Sequence, residues 1–228
     1  MKIDMHVHTI NSRCSMNSID KLEKICTKSG ITPFIADHDQ LTKVKFGVAG
    51  EEISTAKGEF IGLFLTEQIN TKDIFEALDT VKEQGGLIYL PHPFDVRRRR
   101  TLAKFNILDD KEFIKRVDAV EVYNSRCVDN KPNLQAKEYA KKYDLLAGVG
   151  SDSHFSWELG NAYMEVEDFD LENPKQFLKV LTKANKSINT VFRCTRSRPL
   201  NMLFFSKLSK KIHKSGYAEY FDNIRSIF

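Results

Sequence analysis

Short apolar runs rich in β-formers alternate with amphipathic stretches along most of the chain. The runs predict strands over Lys2–His6, Thr32–Asp37, Glu59–Leu65, Leu87–Leu90, Val117–Tyr123, Leu145–Val149 and Ala162–Val166. Helices are predicted over Ile19–Ser29, Asp73–Gln84, Asp110–Arg116, Leu134–Lys142 and Pro174–Lys183. Ile74, Leu78 and Val81 share one helical face with charged neighbours opposite. Asn17–Ser18 and Asn70–Thr71 read as helix starts, and Gly30 and Gly85–Gly86 as stops. Strands alternating with helices imply parallel βαβ units of about 30 residues each, with room for roughly seven. On this pattern alone a seven-unit barrel and a doubly wound sheet both remain open. After about Asn189 the pattern breaks into irregular, basic and aromatic sequence.

The chain has 228 residues, 41% hydrophobic and 29% charged, which excludes disordered, collagen-like and disulfide-scaffold classes. No apolar run approaches the roughly 18 residues of a membrane span, and MKIDMHVH is no signal peptide. The expectation is a cytoplasmic protein without a membrane partner. Cys14, Cys26, Cys127 and Cys194 form no CxxC pair, so reduced thiols are expected. The net charge of +4 is too small to signal nucleic-acid binding. Its distribution matters more. The segment from Asn189 carries Arg193, Arg196, Arg198, Lys207, Lys210, Lys211, Lys214 and Arg225 against Glu219 and Asp222, leaving the remainder slightly acidic. We expect one catalytic domain over 1–188 and an extension over 189–228 that packs its aromatics on it. A nucleic-acid partner for the extension is the alternative.

Five of the six histidines sit in short motifs with acidic or further histidine neighbours, near predicted strand ends. His6-Val-His8 ends the first strand, Asp37-His38-Asp39 the second and Pro91-His92-Pro93 the fourth; Glu51-Glu52 precedes the third, and Gly150-Ser151-Asp152-Ser153-His154 follows the sixth. In a parallel α/β fold such positions converge on one face. His6 and His8 project to the same side of a strand, and Asp152 and His154 do so if their strand continues. Asp4 lies deeper on the same face, suited to orienting an imidazole. Pro93 biases His92 towards an extended backbone. Each motif alone is weak; together they indicate a multinuclear metal site.

HVHT, DHD, a Gly-x-Glu element, PHP and GSDSH, in that order between Met1 and about Tyr163, resemble the polymerase and histidinol phosphatase (PHP) family. The resemblance implies a distorted (βα)7 barrel with a trinuclear metal centre at the C-terminal face of its strands. It implies His6, His8, Glu52 and Asp152 on one metal. Glu52 bridges to a second, completed by Glu59 and His92, and Cys14, His38 and His154 hold a third. Two positions depart from the family pattern. Relatives usually have Asp or His where Cys14 stands, and commonly His where Glu59 stands. Thiolate and carboxylate are both competent ligands; a thiolate favours zinc, while the carboxylate-rich pair suits manganese, iron or zinc.

Such a centre suits a metal-dependent phosphoesterase acting on a phosphomonoester of a small molecule or nucleotide, with metal-bound hydroxide as nucleophile and two or three divalent ions. Asp39 or His154 is assigned proton transfer to the leaving group. Arg97, in the Arg97–Arg100 run, and Arg126 are candidates for binding the substrate phosphate; Glu121 and Asn124 are candidate supports of the ligands. A 5′-end exonuclease, a catalytically silent metal-binding regulatory module and an amidohydrolase-type barrel are the competing readings.

Overall fold

The computed structural model describes residues 1–186 and the backbone of 192–194. Its elements in chain order are β1 (Lys2–Val7), α1 (Ile19–Ser29), β2 (Ile31–Ile35), β3 (Asp37–His38), β4 (Gly50–Thr55), β5 (Gly58–Leu63), α2 (Ile74–Glu83), β6 (Leu87–Leu90), α3 (Lys111–Ile114), β7 (Ala119–Asn124), α4 (Lys131–Lys142), β8 (Leu146–Gly150), β9 (Ala162–Glu165), α5 (Pro174–Lys186) and β10 (Phe192–Cys194). The fold is mixed α/β. One sheet has the order β10-β9-β1-β2, the other β3-β4-β5-β6-β7-β8.

Not every pairing is parallel. β1–β2, β3–β4, β6–β7 and β7–β8 are parallel, but β4–β5, β5–β6 and β1–β9 are antiparallel. This corrects the expectation of βαβ units throughout. Glu51 and Glu52 precede the expected third strand, β5, but they also lie within a strand of their own, β4, that the pattern did not predict. Only Ala56 and Lys57 join β4 to β5, a link too short for a crossover helix, so the chain must reverse as a hairpin. β5 therefore runs against its neighbours, and β6 recovers the original direction.

Backbone contacts join the two sheets. A single residue separates β2 from β3, and its amide (Ala36) donates to the Val7 carbonyl at 2.9 Å. Past β8, Ser153 forms a parallel bridge with Val7 and accepts from the His8 amide at 2.9 Å. The ends of β1, β3, β6, β7 and β8 are thereby gathered around β4.

Local signals account for several boundaries. Gly30 ends α1 in the left-handed conformation (φ 66°), which costs glycine least. α2 starts at Asp73, not at Asn70–Thr71: the Asp73 carboxylate accepts from the Phe75 and Glu76 amides at 2.9 and 3.0 Å. α4 begins three residues before the expected Leu134, with Pro132 tolerated in its first turn. The core lies on both faces of the strands. Ile3, Met5, Phe34, Tyr89 and Met164 pack with Phe177 and Leu181 of α5, while Ile53, Phe60, Ile88 and Val120 pack with α2 and α4. The extension from Asn189 lies outside the described residues apart from β10, whose backbone adds an antiparallel strand beside β9.

Candidate metal centre

His6 and His8 leave the end of β1 on the same side, and their Nε2 atoms face each other at 3.0 Å. β4 delivers Glu52 to the middle of the cluster, with His38, His92, His8 and His6 nitrogens 3.0, 3.2, 3.5 and 3.7 Å from its carboxylate. Asp152 stands opposite, its Oδ1 3.3 Å from His8 Nε2 and 3.7 Å from His6 Nε2. Four triads bring one ligand atom each within 4.8 Å: His8/His38/His154, His6/His8/Glu52, His6/His92/Asp152 and His38/Glu52/Glu59. Glu59 thus groups with His38 as well as Glu52. Cys14 is nearly buried and lines the adjoining recess with His38, Glu59 and His154.

Glu52 Oε1 and Oε2, His92 Nδ1 and Nε2, and Asp152 Oδ1 are buried and, among the described residues, have no hydrogen-bond partner. The 3.2 Å approach of His92 to Glu52 is an electrostatic contact without hydrogen-bond direction. Buried polar atoms are rarely left so, and five together, all of ligand type, are what a divalent ion would satisfy. The donor set fits the group the sequence implies.

Surrounding residues fix which imidazole nitrogen faces the cluster. Glu121 Oε1 receives His6 Nδ1 at 3.1 Å, while Oε2 accepts from the His92 amide at 2.7 Å and from Asn124 Nδ2 at 2.9 Å. Ser12 donates its one hydroxyl proton to Asp37 Oδ1 at 2.7 Å, so its oxygen accepts from the His38 amide at 3.0 Å and from His8 Nδ1 at 3.2 Å. Asp37 also accepts from the Thr9 amide at 2.7 Å, and from the Thr9 and Thr42 hydroxyls at 2.5 and 2.7 Å. His154 Nδ1 donates to the Asp152 carbonyl at 2.8 Å. In all three, Nδ1 faces an acceptor away from the cluster, so Nε2 is the nitrogen that would ligate once the imidazole is neutral. The Ser12–Asp37 relay had a faint sequence signal, in Asp37 preceding the His38 motif.

Asp4 does not orient an imidazole. Its carboxylate accepts from the Ser151, Gly160 and His6 amides at 2.8, 3.0 and 3.4 Å, fastening the loop that carries Asp152. His92 is not extended but has φ 32°, because Glu121 takes its amide while its carbonyl closes a turn with the Asp95 amide at 3.1 Å. Asp152 has φ 54°, so β8 does not continue through it, and Asp39 has φ 49°. Three non-glycine residues in this region within one site mark a backbone held by its surroundings.

The cluster's charges are mutually dependent. Burial opposes ionisation of Glu52 and Asp152, yet His38 and His6 hold Glu52, and Arg98 and His6 hold Asp152, well below the usual carboxylate range. Despite burial, Asp152 and Glu121 hold His6 well above the ordinary imidazole value, and Glu52 lifts His38 to about 10. Burial pushes His8 down to about 4 and His154 well down, Arg126 adding to the latter. Burial and the neighbouring Glu52 raise Glu59.

Among the arginines, Arg98 reaches the cluster, donating to Asp152 Oδ2, with its Nε 3.3 Å from Asp95 Oδ2. The sequence pointed to the run but not to this member. Arg97 pairs with Asp129 on the surface at 2.8 Å. Arg126 also reaches the cluster's edge: it is buried, 3.3 Å from Glu158, and donates to the Asp152 carbonyl at 3.4 Å. Asp39 is half-exposed, accepts from the Ser54 amide at 2.9 Å and pairs with Lys72 at 3.0 Å.

Strands of this direction, their ends joined in a histidine and carboxylate cluster, define a metal-binding α/β protein. A family model described as PHP-associated matches residues 130–185. An uncharacterized protein of Methanocaldococcus jannaschii, MJ0417, is 49% identical over 99% of this chain and 98% of its own length. A two-domain protein of Bacteroides vulgatus, described as containing a predicted PHP-like metal-dependent phosphoesterase, is similar in structure (TM-score 0.57, 17% identity, covering 90% of this chain and 69% of that one). PsfC from Pseudomonas syringae is similar with TM-score 0.58 and 14% identity, over 92% of this chain and 97% of that one. The chain belongs to the PHP family. Among the described residues no helix is long and apolar enough to cross a membrane.

Proposed function

We propose that the chain is a metal-dependent phosphoesterase, cytoplasmic and built on a distorted seven-stranded barrel, that hydrolyses a phosphomonoester of a small molecule or nucleotide. The barrel reading is supported by the Ala36–Val7 and Ser153–Val7 contacts, which link β2/β3 and β8 to opposite sides of β1. The observation that carries the function is the convergence of unpartnered buried donor atoms on Glu52, His92 and Asp152 beneath an open recess. His6, His8, Glu52 and Asp152 would hold one ion, Glu52, Glu59 and His92 a second, and Cys14, His38 and His154 a third. Zinc, manganese and iron all suit these donors.

When bound, such ions lower the pKa of a coordinated water and offset phosphoryl charge. Glu121, Ser12 and the Asp152 carbonyl keep the ligand imidazoles in one tautomer. Arg98 ties up the Asp152 oxygen turned away from the cluster and keeps a guanidinium beside the position a phosphate oxygen would take. Asp39 on the recess wall would be the group that assists proton transfer to the leaving group, because His154 as a ligand has its Nδ1 proton committed to the Asp152 carbonyl, and Arg97 and Arg126 would contribute to phosphate binding. The test is metal analysis of the purified chain together with assays of phosphomonoesters, phosphodiesters and oligonucleotides, with and without chelator. Bound metal, and monoester hydrolysis lost on chelation and in His92→Ala, are expected. Activity indifferent to both would sink the reading. Full metal loading with no turnover would favour the regulatory alternative.

A further inference from the structure

Glu158 is a buried carboxylate (2% exposed) that the proposed chemistry does not use. It follows β8 in the same loop as Asp152 and His154. One of its oxygens gathers three donors. Oε2 accepts from the His154 amide at 2.9 Å, from the Phe155 amide at 3.2 Å and from Arg126 Nη1 at 3.3 Å. The Glu158 amide in turn donates to the Phe155 carbonyl at 2.9 Å, closing the turn between them. A carboxylate is costly to bury, and converging donors of this kind offset that cost.

Arg126 and His154 meet a second time. Arg126 Nη1 donates to the Asp152 carbonyl at 3.4 Å, and His154 Nδ1 donates to the same carbonyl at 2.8 Å. Glu158 Oε2 and the Asp152 carbonyl together hold one guanidinium nitrogen and both the backbone and the ring of one imidazole. The His154 carbonyl is fastened as well: it accepts from the Met16 amide at 2.8 Å and the Ser15 hydroxyl at 3.1 Å, in the loop that carries Cys14. Arg126 and His154 both line the recess, beside Cys14 and His38. Among the described residues only Nη1 of the Arg126 guanidinium has an acceptor, so its other N–H groups are available to an anion in the recess.

We propose that Glu158 is a positioning residue. Through one oxygen it sets the His154 imidazole and the Arg126 guanidinium at a fixed separation, so the ion assigned to Cys14, His38 and His154 and a phosphate oxygen held by Arg126 are placed by the same group. This rests on the phosphoesterase reading. The geometry demands reach of residue 158 more than charge, because its oxygen must meet amides three and four residues earlier and the guanidinium at once. Glutamine presents an oxygen at the same distance; aspartate, one methylene shorter, withdraws it from all three donors.

The experiment reads two affinities on the full chain, neither of which needs turnover. Each zinc ion is measured by chelator competition, and inorganic phosphate by titration calorimetry on the metal-loaded chain. Glu158→Asp should weaken one ion by about 10- to 100-fold, leave the others unchanged and weaken phosphate by about tenfold or more. Glu158→Gln should stay within about threefold of the native chain on both readings. Arg126→Gln should weaken phosphate alone, since Glu158 keeps the two amides. Native values in Glu158→Asp, a loss confined to one of its two affinities, weakening of all ions alike or failure of that variant to fold overturns the inference. So does a Glu158→Gln variant that loses as much as Glu158→Asp. The expected pattern without turnover of any ester supports the role of Glu158 and rejects the hydrolase. Ester hydrolysis with both affinities untouched in Glu158→Asp does the reverse.

Discussion

Ser12 has one hydroxyl proton, and giving it to Asp37 leaves its oxygen as the acceptor for His8 Nδ1. Ser12→Ala removes that acceptor while Asp37 keeps its Thr9 and Thr42 partners. Metal affinity, measured by chelator competition, should fall by about 10- to 100-fold with the fold intact, and Ser12→Thr should restore it. An unchanged affinity would deny Ser12 an orienting role. Cys14 is tested by colour. The cobalt(II)-substituted chain should show a near-ultraviolet thiolate-to-metal band that Cys14→Ser abolishes. Without such a band in the native chain, Cys14 is not a ligand. The clustered histidines were legible in the sequence because each sits in a short motif near a strand end. Glu121's bond to His6 links residues 115 apart in sequence, and Arg98 reaches Asp152 across 54. Contacts of that span leave no periodicity, so the sequence could mark the candidates without choosing among four consecutive arginines.

At the scale of elements, β8 must end in a residue without a side chain. A Cβ on Gly150 would lie 2.2 Å from Glu121 Oε1 and 2.4 Å from the His6 Cβ. Gly150→Ala should therefore destabilise the chain by about 3 kcal/mol or more in urea melts and lower metal content, because it displaces a ligand and its orienting carboxylate together. Asp73→Ala is the contrasting case. It removes the α2 cap far from the cluster and should cost about 1 kcal/mol with metal content unchanged. Equal effects of the two substitutions on metal content would contradict this division. Helix α1 was readable to the residue, since its amphipathic face, Ser18 and Gly30 all agree. Strand β4 was not. Its Gly-Glu-Glu-Ile-Ser-Thr sequence reads as polar, yet all six residues are buried, because Glu51 and Glu52 point to opposite sides and each finds an interior use. Glu52 enters the cluster, and Glu51 accepts from the Ile69 amide at 3.1 Å.

For the molecule as a whole, metal binding and folding are linked. Ions that bind only the folded state should raise Tm, by about 3 kcal/mol of stability at a free concentration 100 times Kd, and chelation should reverse this. The pH dependence has a definite sign. In the metal-free fold Glu52 keeps His38 protonated near neutrality, with its pKa lifted to about 10, whereas a ligating imidazole must be neutral. Binding therefore expels protons, and protons compete with the ion as pH falls. The metal-induced rise in Tm should shrink between about pH 8 and pH 6. A rise that grows on acidification would contradict the assignment of imidazole ligands.

The sequence by itself determined the alternation of strands and helices, and it marked the residue types that gather at the strand ends. Both follow from short-range rules, side-chain periodicity and turn chemistry, that act within a few residues. Tertiary structure alone decided the reversal of β5, the left-handed backbone of His92 and Asp152, and the selection of Arg98 for the cluster. It also gathered Arg126 and the His154 amide on one oxygen of Glu158. These depend on which distant carboxylates, amides and guanidinia meet after packing, and electrostatic pairing of that kind is set by distance in space, not by spacing along the chain.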